Sequence, residues 1–385
     1  MAKITDTIKN VGVNDREIEL FEGQYKVEKG MAYNSYLVKG EKIAVFDSVG
    51  GEFSEEWLSN VETALNGKTP DYLVILHVEP DHSANILSFT EKYPKATVVS
   101  SSKAFSMMKN FYGEDFDGRR IVVSENSELD LGGRTVRFFA APMVHWPEVM
   151  VAYDEKEGVL FSADAFGKFG TTDADEDWAC EARRYYFGIV GKYGVQVQAL
   201  LKKLSGLKIN AICSLHGPVL TENIGYYVNL YDIWSSYKAE TDGVFIAYTS
   251  VYGHTKTAAL LLAEELKKAG CPKVSVSDLA RDDMAEAVED AFRYGKIVFA
   301  TTTYNGGMFP FMKQFIEELT ERNFKNKTVA FIENGSWAPF ATKAMKDALY
   351  SSQNLTYAAT EVKILSALTE DNKADIVKLA KELCE

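Results

Sequence analysis

Cysteine is scarce in this chain: four residues in 385, Cys180, Cys213, Cys271 and Cys384, with no CxxC pair among them. That excludes a disulfide framework, a zinc ribbon and an iron site built on paired thiolates, and leaves reduced thiols. Basic charge is short as well. Lysine and arginine total 42 against 55 acidic residues, a net charge of -13, so there is no footprint for a nucleic-acid backbone or an anionic membrane. No stretch approaches the roughly 18 consecutive apolar residues of a membrane span, and the opening MAKITDTIKN lacks the apolar core of a secretory signal. Internal repeats and low-complexity tracts are missing too. These absences lead to the expectation of a cytoplasmic protein whose partners are small molecules or other proteins, with no nucleic acid and no membrane.

What is present has two rhythms. Up to about residue 240, short strand-like runs such as NSYLVKG, TVVSS, TVRFFAAPMV, VMVAYD and GVLFSADA alternate with polar turns and occasional helices, SEEWLSNVETALNG among them. From residue 243 the pattern becomes regular βαβα: GVFIAYTS, VSVSDL, KIVFATTT, TVAFIENG and EVKILSAL read as buried strands separated by helices. Two domains are expected, 1–240 and 243–385, joined near YKAETDG. The first is mixed, with sheets covered by helices, and the second a doubly wound parallel sheet.

Histidine is also sparse, and its placement carries the chemistry. Of five, four stand at or just past the ends of apolar runs in the first part: His77 and His82 in HVEPDH, His145 in MVHWP and His216 in SLHGP. Glu79, Asp81 and Asp164 are placed the same way. A single histidine at a strand end is more often a hydrogen-bonded residue than a ligand. Seven ligand-type residues at successive strand ends are harder to explain, because their apolar surroundings make unpaired burial costly. Four imidazoles, three carboxylates and no thiolate form an oxygen-rich set suited to iron or manganese. They are too many for one tetrahedral ion, whereas two metals bridged by a carboxylate accommodate them.

In the second part, YTSVYGHT follows a strand and opens a helix. Its hydroxyls, its glycine and the free amides of the helix N-terminus make a cradle for a phosphate, although serine and threonine there are also ordinary N-caps. Two more loops after strands, TTTYNGGMFP and IENGSWAPF, each add an aromatic and glycines, which is what a flat isoalloxazine ring needs.

The order HVEPDH, APMVHWPEVM, SADAFG, SLHGP resembles the H-x-E-x-D-H…H…D…H pattern of flavodiiron proteins, a branch of the metallo-β-lactamase fold. Hydrolytic members of that fold carry H-x-H-x-D-H and bind zinc, so Glu79 is the distinguishing position. The resemblance covers essentially the whole chain. It implies an αββα metallo-β-lactamase-like sandwich followed by a flavodoxin-like domain. One iron would be held by His77, Glu79 and His145, a second by Asp81, His82 and His216, with Asp164 bridging. Trp146 would line the pocket, and Glu22 stands where some members place a histidine near it. FMN would lie among Thr249, Ser250, Val251, Tyr252, Gly253, His254 and Thr255 at the phosphate, and Thr303, Tyr304, Asn305, Gly306 and Gly307 at the ring. The last loop has ENGSW where some members have G-x-Y-G-W, leaving Asn334, Gly335, Ser336 and Trp337 to complete the site.

The implied activity passes electrons from an external donor through FMN to the diiron centre, which reduces dioxygen to water or nitric oxide to nitrous oxide. The implied donor is a separate rubredoxin or a reduced deazaflavin coenzyme, and the implied assembly a head-to-tail homodimer or a dimer of dimers. Two rivals are a binuclear zinc hydrolase with a flavodoxin module and an FMN electron carrier with a non-catalytic first domain.

Overall fold

The structure is a computed structural model that describes residues 4–385. The chain divides into two compact units, one made of the residues up to Tyr186 with Val195–Asp232, the other of Phe187–Gly194 with Ile233–Glu385.

The first unit is built on two sheets. One has six strands in the order Ile8–Asn10, Tyr36–Lys39, Ile43–Phe46, Tyr72–Val74, Thr97–Ser101, Arg120–Val123. The other has five: Glu128–Asp130, Thr135–Ala140, Met150–Asp154, Val159–Phe161, Ala211–Cys213. Phe46 of the first sheet stacks on Phe161 of the second with ring centroids 4.4 Å apart, so the sheets pack face to face. Strands buried on both faces, such as IAVF, read as unbroken apolar runs for this reason. Helices lie outside. Ser54–Leu65 turns Trp57, Val61, Ala64 and Leu65 inward at helical spacing and ends at Asn66 with φ +51°. Ser102–Tyr112 is capped by Ser101, whose hydroxyl accepts from the Ala104 amide. The expected sandwich is present.

Three strands matter for the site because each is followed, three residues on, by a ligand-type side chain: Val74 by His77, Phe161 by Asp164, Cys213 by His216. The last two strands are parallel neighbours with Phe161 opposite Cys213, which puts Asp164 and His216 side by side. TVRFFAAPMV is strand only to Ala140, and Pro142 falls in the loop that delivers His145.

The second unit is a parallel sheet in the order Val274–Asp278, Thr241–Tyr248, Tyr294–Tyr304, Thr328–Asn334, followed by the short pieces Thr356–Tyr357 and Val362–Ile364. In chain order this is 2-1-3-4-5, with the switch point between Thr241–Tyr248 and Tyr294–Tyr304. The expected doubly wound sheet is therefore present. Helices His254–Lys268 and Glu370–Cys384 cover one face, burying Ala258, Leu262 and Leu266 against Ile376, Leu379 and Leu383.

Candidate metal centre and flavin cleft

HVEPDH leaves its strand and folds into a single helical turn, Pro80–Ser83, with proline at its first position. The turn is braced from several directions. Asp47, at φ +54°, accepts from the Leu76 and His77 amides at 2.7 and 3.3 Å, and the Ser48 amide donates to the His82 carbonyl at 2.7 Å. Ser83 Oγ lies 2.7 Å from the Val78 carbonyl and 2.5 Å from the Tyr112 hydroxyl.

The seven side chains converge in two groups. His77, Glu79, His145 and Asp164 present one ligand atom each within 4.8 Å of one another, and so do Asp81, His82 and His216. In the first group Glu79 Oε2 is 3.1 Å from His77 Nε2 and 3.0 Å from His145 Nε2. In the second Asp81 Oδ2 is 3.2 Å from His82 Nε2 and 3.5 Å from His216 Nε2. Asp164 spans both. Its Oδ2 is 3.0 Å from His145 Nε2, and its Oδ1 is 3.3 Å from His82 Nε2 and 4.0 Å from His216 Nε2.

All four imidazoles turn Nε2 inward, and two are anchored through Nδ1. His216 Nδ1 lies 2.8 Å from the Ala32 carbonyl, and His77 Nδ1 lies 2.7 Å from Glu148 Oε1, which also accepts from the Val78 amide at 3.1 Å.

The electrostatics show how strongly the groups interact. Burial opposes charge on His145, yet Asp164 and Glu79 raise its pKa to about 9. His77 is raised well above the ordinary value in the same way, with Glu148 and Glu79 adding to Asp164 against burial. Asp164 is buried, yet His77, His82 and His145 pull it well below the usual carboxylate range. Burial instead pushes Asp81 up to about 7 and His216 down to about 4, the latter with help from His82. Both oxygens of Asp164 and of Asp81 are buried without a protein hydrogen-bond partner among the described residues. A carboxylate left so would cost several kcal/mol, and cations placed between these oxygens and the Nε2 atoms satisfy both. The donor set therefore fits two metal ions sharing one carboxylate.

Aromatic rings close the surroundings. Trp146 stands edge-on to His77 at 5.2 Å, and Phe21, Tyr33 and Tyr185 surround His216 at 5.4, 5.9 and 5.4 Å. Glu22 is exposed at the rim with φ +48°; partial burial, then the charge of Glu79, raises its pKa.

The second unit holds a cleft of about 670 Å³ at the carboxyl edge of its sheet, where the loops after the three central strands meet. Of the expected residues, Ser250, Val251, Tyr252, His254, Thr255, Thr303, Tyr304, Asn305, Gly306, Asn334, Gly335, Ser336 and Trp337 line it. Thr249, Gly253 and Gly307 do not. Thr249 is buried beneath the loop with its hydroxyl 2.6 Å from that of Thr301. Gly253, at φ +91°, precedes the helix as its N-cap, and Gly307 pairs with Tyr304 in a hairpin. Helix His254–Lys268 has no acidic residue in its first turn, so its free amides offer an unopposed positive end. Tyr252 and Trp337 are each 90% exposed, leaving broad ring faces at the cleft for a planar ligand.

Known proteins match each of the two units. Two domain families match, ODP family beta lactamase over residues 31–217 and Flavodoxin domain over 245–364. The anaerobic nitric oxide reductase flavorubredoxin of Vibrio vulnificus (strain YJ016) is 29% identical over 348 residues, 87% of this chain and 70% of that one. The structure of rubredoxin oxygen:oxidoreductase from the anaerobe Desulfovibrio gigas matches with a TM-score of 0.90 at 27% identity, covering 100% of this chain and 97% of that one. The flavodiiron protein of Giardia intestinalis matches with a TM-score of 0.91 at 25% identity, over 99% and 95%. The chain belongs to the flavodiiron protein family.

Its cofactors are FMN and a non-haem diiron centre. Some residues of this flavodiiron protein's two sites escape a reading of the sequence. Glu148, the carboxylate behind His77, stands in HWPE as an ordinary loop residue. Phe21, Tyr33 and Tyr185 come from three separate segments that only the fold assembles. At the cleft, Thr302, Ala338 and Ser366 join the lining. Thr302 could have been found from its place one residue before Thr303, whereas Ser366 had no local signal.

Proposed function

We propose that this protein takes electrons from an external donor and uses them to reduce dioxygen to water or nitric oxide to nitrous oxide. The observation that carries the reading is Asp164: one buried carboxylate faces two imidazole-carboxylate groups at once, the arrangement that two adjacent ions with open positions require. When bound, FMN supplies electrons singly or in pairs, and two ferrous ions bind and reduce a small diatomic oxidant.

The chain's own residues do the rest. His77, Glu79 and His145 would hold one ion and Asp81, His82 and His216 the other, with Asp164 shared between the two groups. Glu148 and the Ala32 carbonyl orient two of the imidazoles. Phe21, Tyr33 and Tyr185 keep an apolar wall against His216, admitting a small uncharged gas in preference to ionic solutes. In the second unit the amides at the start of helix His254–Lys268 would receive the FMN phosphate, and Tyr304, Tyr252 and Trp337 would offer their rings to the flavin. No side chain is needed as a nucleophile. A separate rubredoxin or a reduced deazaflavin coenzyme serves as donor, the protein works in the cytoplasm, and a head-to-tail dimer brings one subunit's FMN to the other's irons.

The test is to reduce anaerobically purified protein and follow dioxygen and nitric oxide consumption separately, with iron, zinc and flavin assayed on the same sample. Two irons and one FMN per chain with rapid loss of either gas is the expected result, and the faster reaction names the substrate. Zinc in place of iron, with hydrolase activity and neither gas consumed, supports the hydrolase instead. FMN without stoichiometric metal reduces the protein to an electron carrier.

A further inference from the structure

The four cysteines take no part in either site, but two of them meet. Helices His254–Lys268 and Glu370–Cys384 cover the same face of the parallel sheet, and each follows a strand of that sheet. They therefore run the same way, and their C-terminal ends lie together. Just past the first helix, the Cys271 amide donates to the Leu266 carbonyl at 2.9 Å. At the end of the second, Cys384 Sγ approaches that same Leu266 oxygen at 3.8 Å. The Cys271 thiol turns to the Lys273 carbonyl at 3.3 Å, so both cysteines gather where the chain leaves the first helix. Both cysteines are only partly buried.

A cleft of about 380 Å³ lined by Glu265, Lys268, Lys381, Cys384 and Glu385 opens beside them, so a small charged reagent can reach the Cys384 thiol. The remaining cysteines are placed differently: Cys213 is fully buried, and Cys180 belongs to the other unit.

We propose that Cys271 and Cys384 form a reversible intramolecular disulfide, a redox-sensitive clasp on the flavodoxin-like unit that closes when small-molecule disulfides accumulate. One thiolate attacks a sulfur of the small disulfide, forming a mixed disulfide and releasing one small thiol. The second cysteine's thiolate then attacks the protein-bound sulfur, closing the intramolecular bond and releasing the second small thiol. Two protein thiols are oxidised and one small disulfide is reduced to two thiols. The clasp closes a loop of roughly 110 residues, a length at which a cross-link strongly restricts the unfolded chain. It lies at the C-terminal ends of the helices, away from the flavin cleft at the N-terminal end of His254–Lys268, so it locks the unit while leaving that cleft in place.

The full-length, cofactor-loaded protein should be reduced with dithiothreitol, desalted without oxygen, and incubated with glutathione disulfide. It is then alkylated and mapped by mass spectrometry, with melting followed in parallel. The expected result is a Cys271–Cys384 linked peptide, loss of two titratable thiols, a Tm raised by about 5 °C or more, and return to the start with dithiothreitol. In Cys271→Ser, and separately in Cys384→Ala, the linked peptide and the Tm gain should disappear, with the remaining cysteine ending as a mixed disulfide. Mixed disulfides at both positions of the unsubstituted protein without a linked peptide, two thiols that stay free, or a bond joining two copies would each overturn the proposal.

Discussion

Glu148 contributes no ligand atom, yet its Oε1 sits 2.7 Å from His77 Nδ1 and 3.1 Å from the Val78 amide. The loop that supplies His145 thus also aims His77, and it does so from a position that is only 2% exposed. A buried carboxylate behind a ligand imidazole fixes the ring's tautomer and raises its basicity, and removing such a partner costs about 10- to 100-fold in metal affinity. Glu148→Ala should weaken ferrous-iron binding by that order, measured by competition with a chelator. Glu148→Gln, which still offers an oxygen to both donors, should recover part of the loss. Unchanged affinity in the alanine variant would remove Glu148 from the account of the centre. The pair also shows where sequence reading stops. His77 is conspicuous because it ends an apolar run. Glu148 is an acidic residue after a proline, the commonest kind of loop residue, and only its burial distinguishes it.

At the scale of elements, strand ends did most of the work. Three ligand-type residues stand the same three positions past three strands, so a reader of the sequence meets polar residues wherever an apolar run stops. The parallel sheet was legible for a similar reason, since five apolar runs separated by helical segments leave few other topologies. The aromatic wall around His216 was not, because Phe21, Tyr33 and Tyr185 lie far apart in the chain and share no period. Thr249 does not line the cleft, for a subtler reason. It belongs to the hydroxyl-rich stretch of the phosphate loop, but its own hydroxyl is used beneath the loop by Thr301. The helix that begins at His254 offers a clean test of the anion cradle. His254 is exposed and lines the cleft, and no acid stands in the helix's first turn. His254→Asp places a carboxylate there. The helix itself should be stabilised by about 0.5 kcal/mol, since negative charge suits its N-terminus. FMN affinity should nevertheless fall by about tenfold or more through repulsion of the phosphate, read by flavin fluorescence on titrating the apoprotein. Loss of FMN with a lowered melting temperature would instead indicate a folding defect.

At the scale of the molecule, the metal-binding residues and the flavin cleft belong to different compact units, and a reductase must bring electrons from one to the other. Whether they pass within a chain or between chains can be decided by complementation. One variant, Asp164→Asn, keeps FMN but loses the carboxylate shared by both metals. The other, His254→Asp, keeps the metal residues but loses flavin. Each should be inactive by itself under flavin-limited conditions. Mixed, dissociated and reassociated in equal amounts, half the dimers would carry one chain of each kind. In a head-to-tail dimer such a pair joins the flavin of one chain to the irons of the other, so one of its two pathways is complete. The mixture should therefore recover about a quarter of the unsubstituted rate. Transfer confined within a chain gives no recovery, because neither variant chain holds both cofactors. Recovery must also depend on exchange of subunits and should vanish if the two variants are mixed without dissociation.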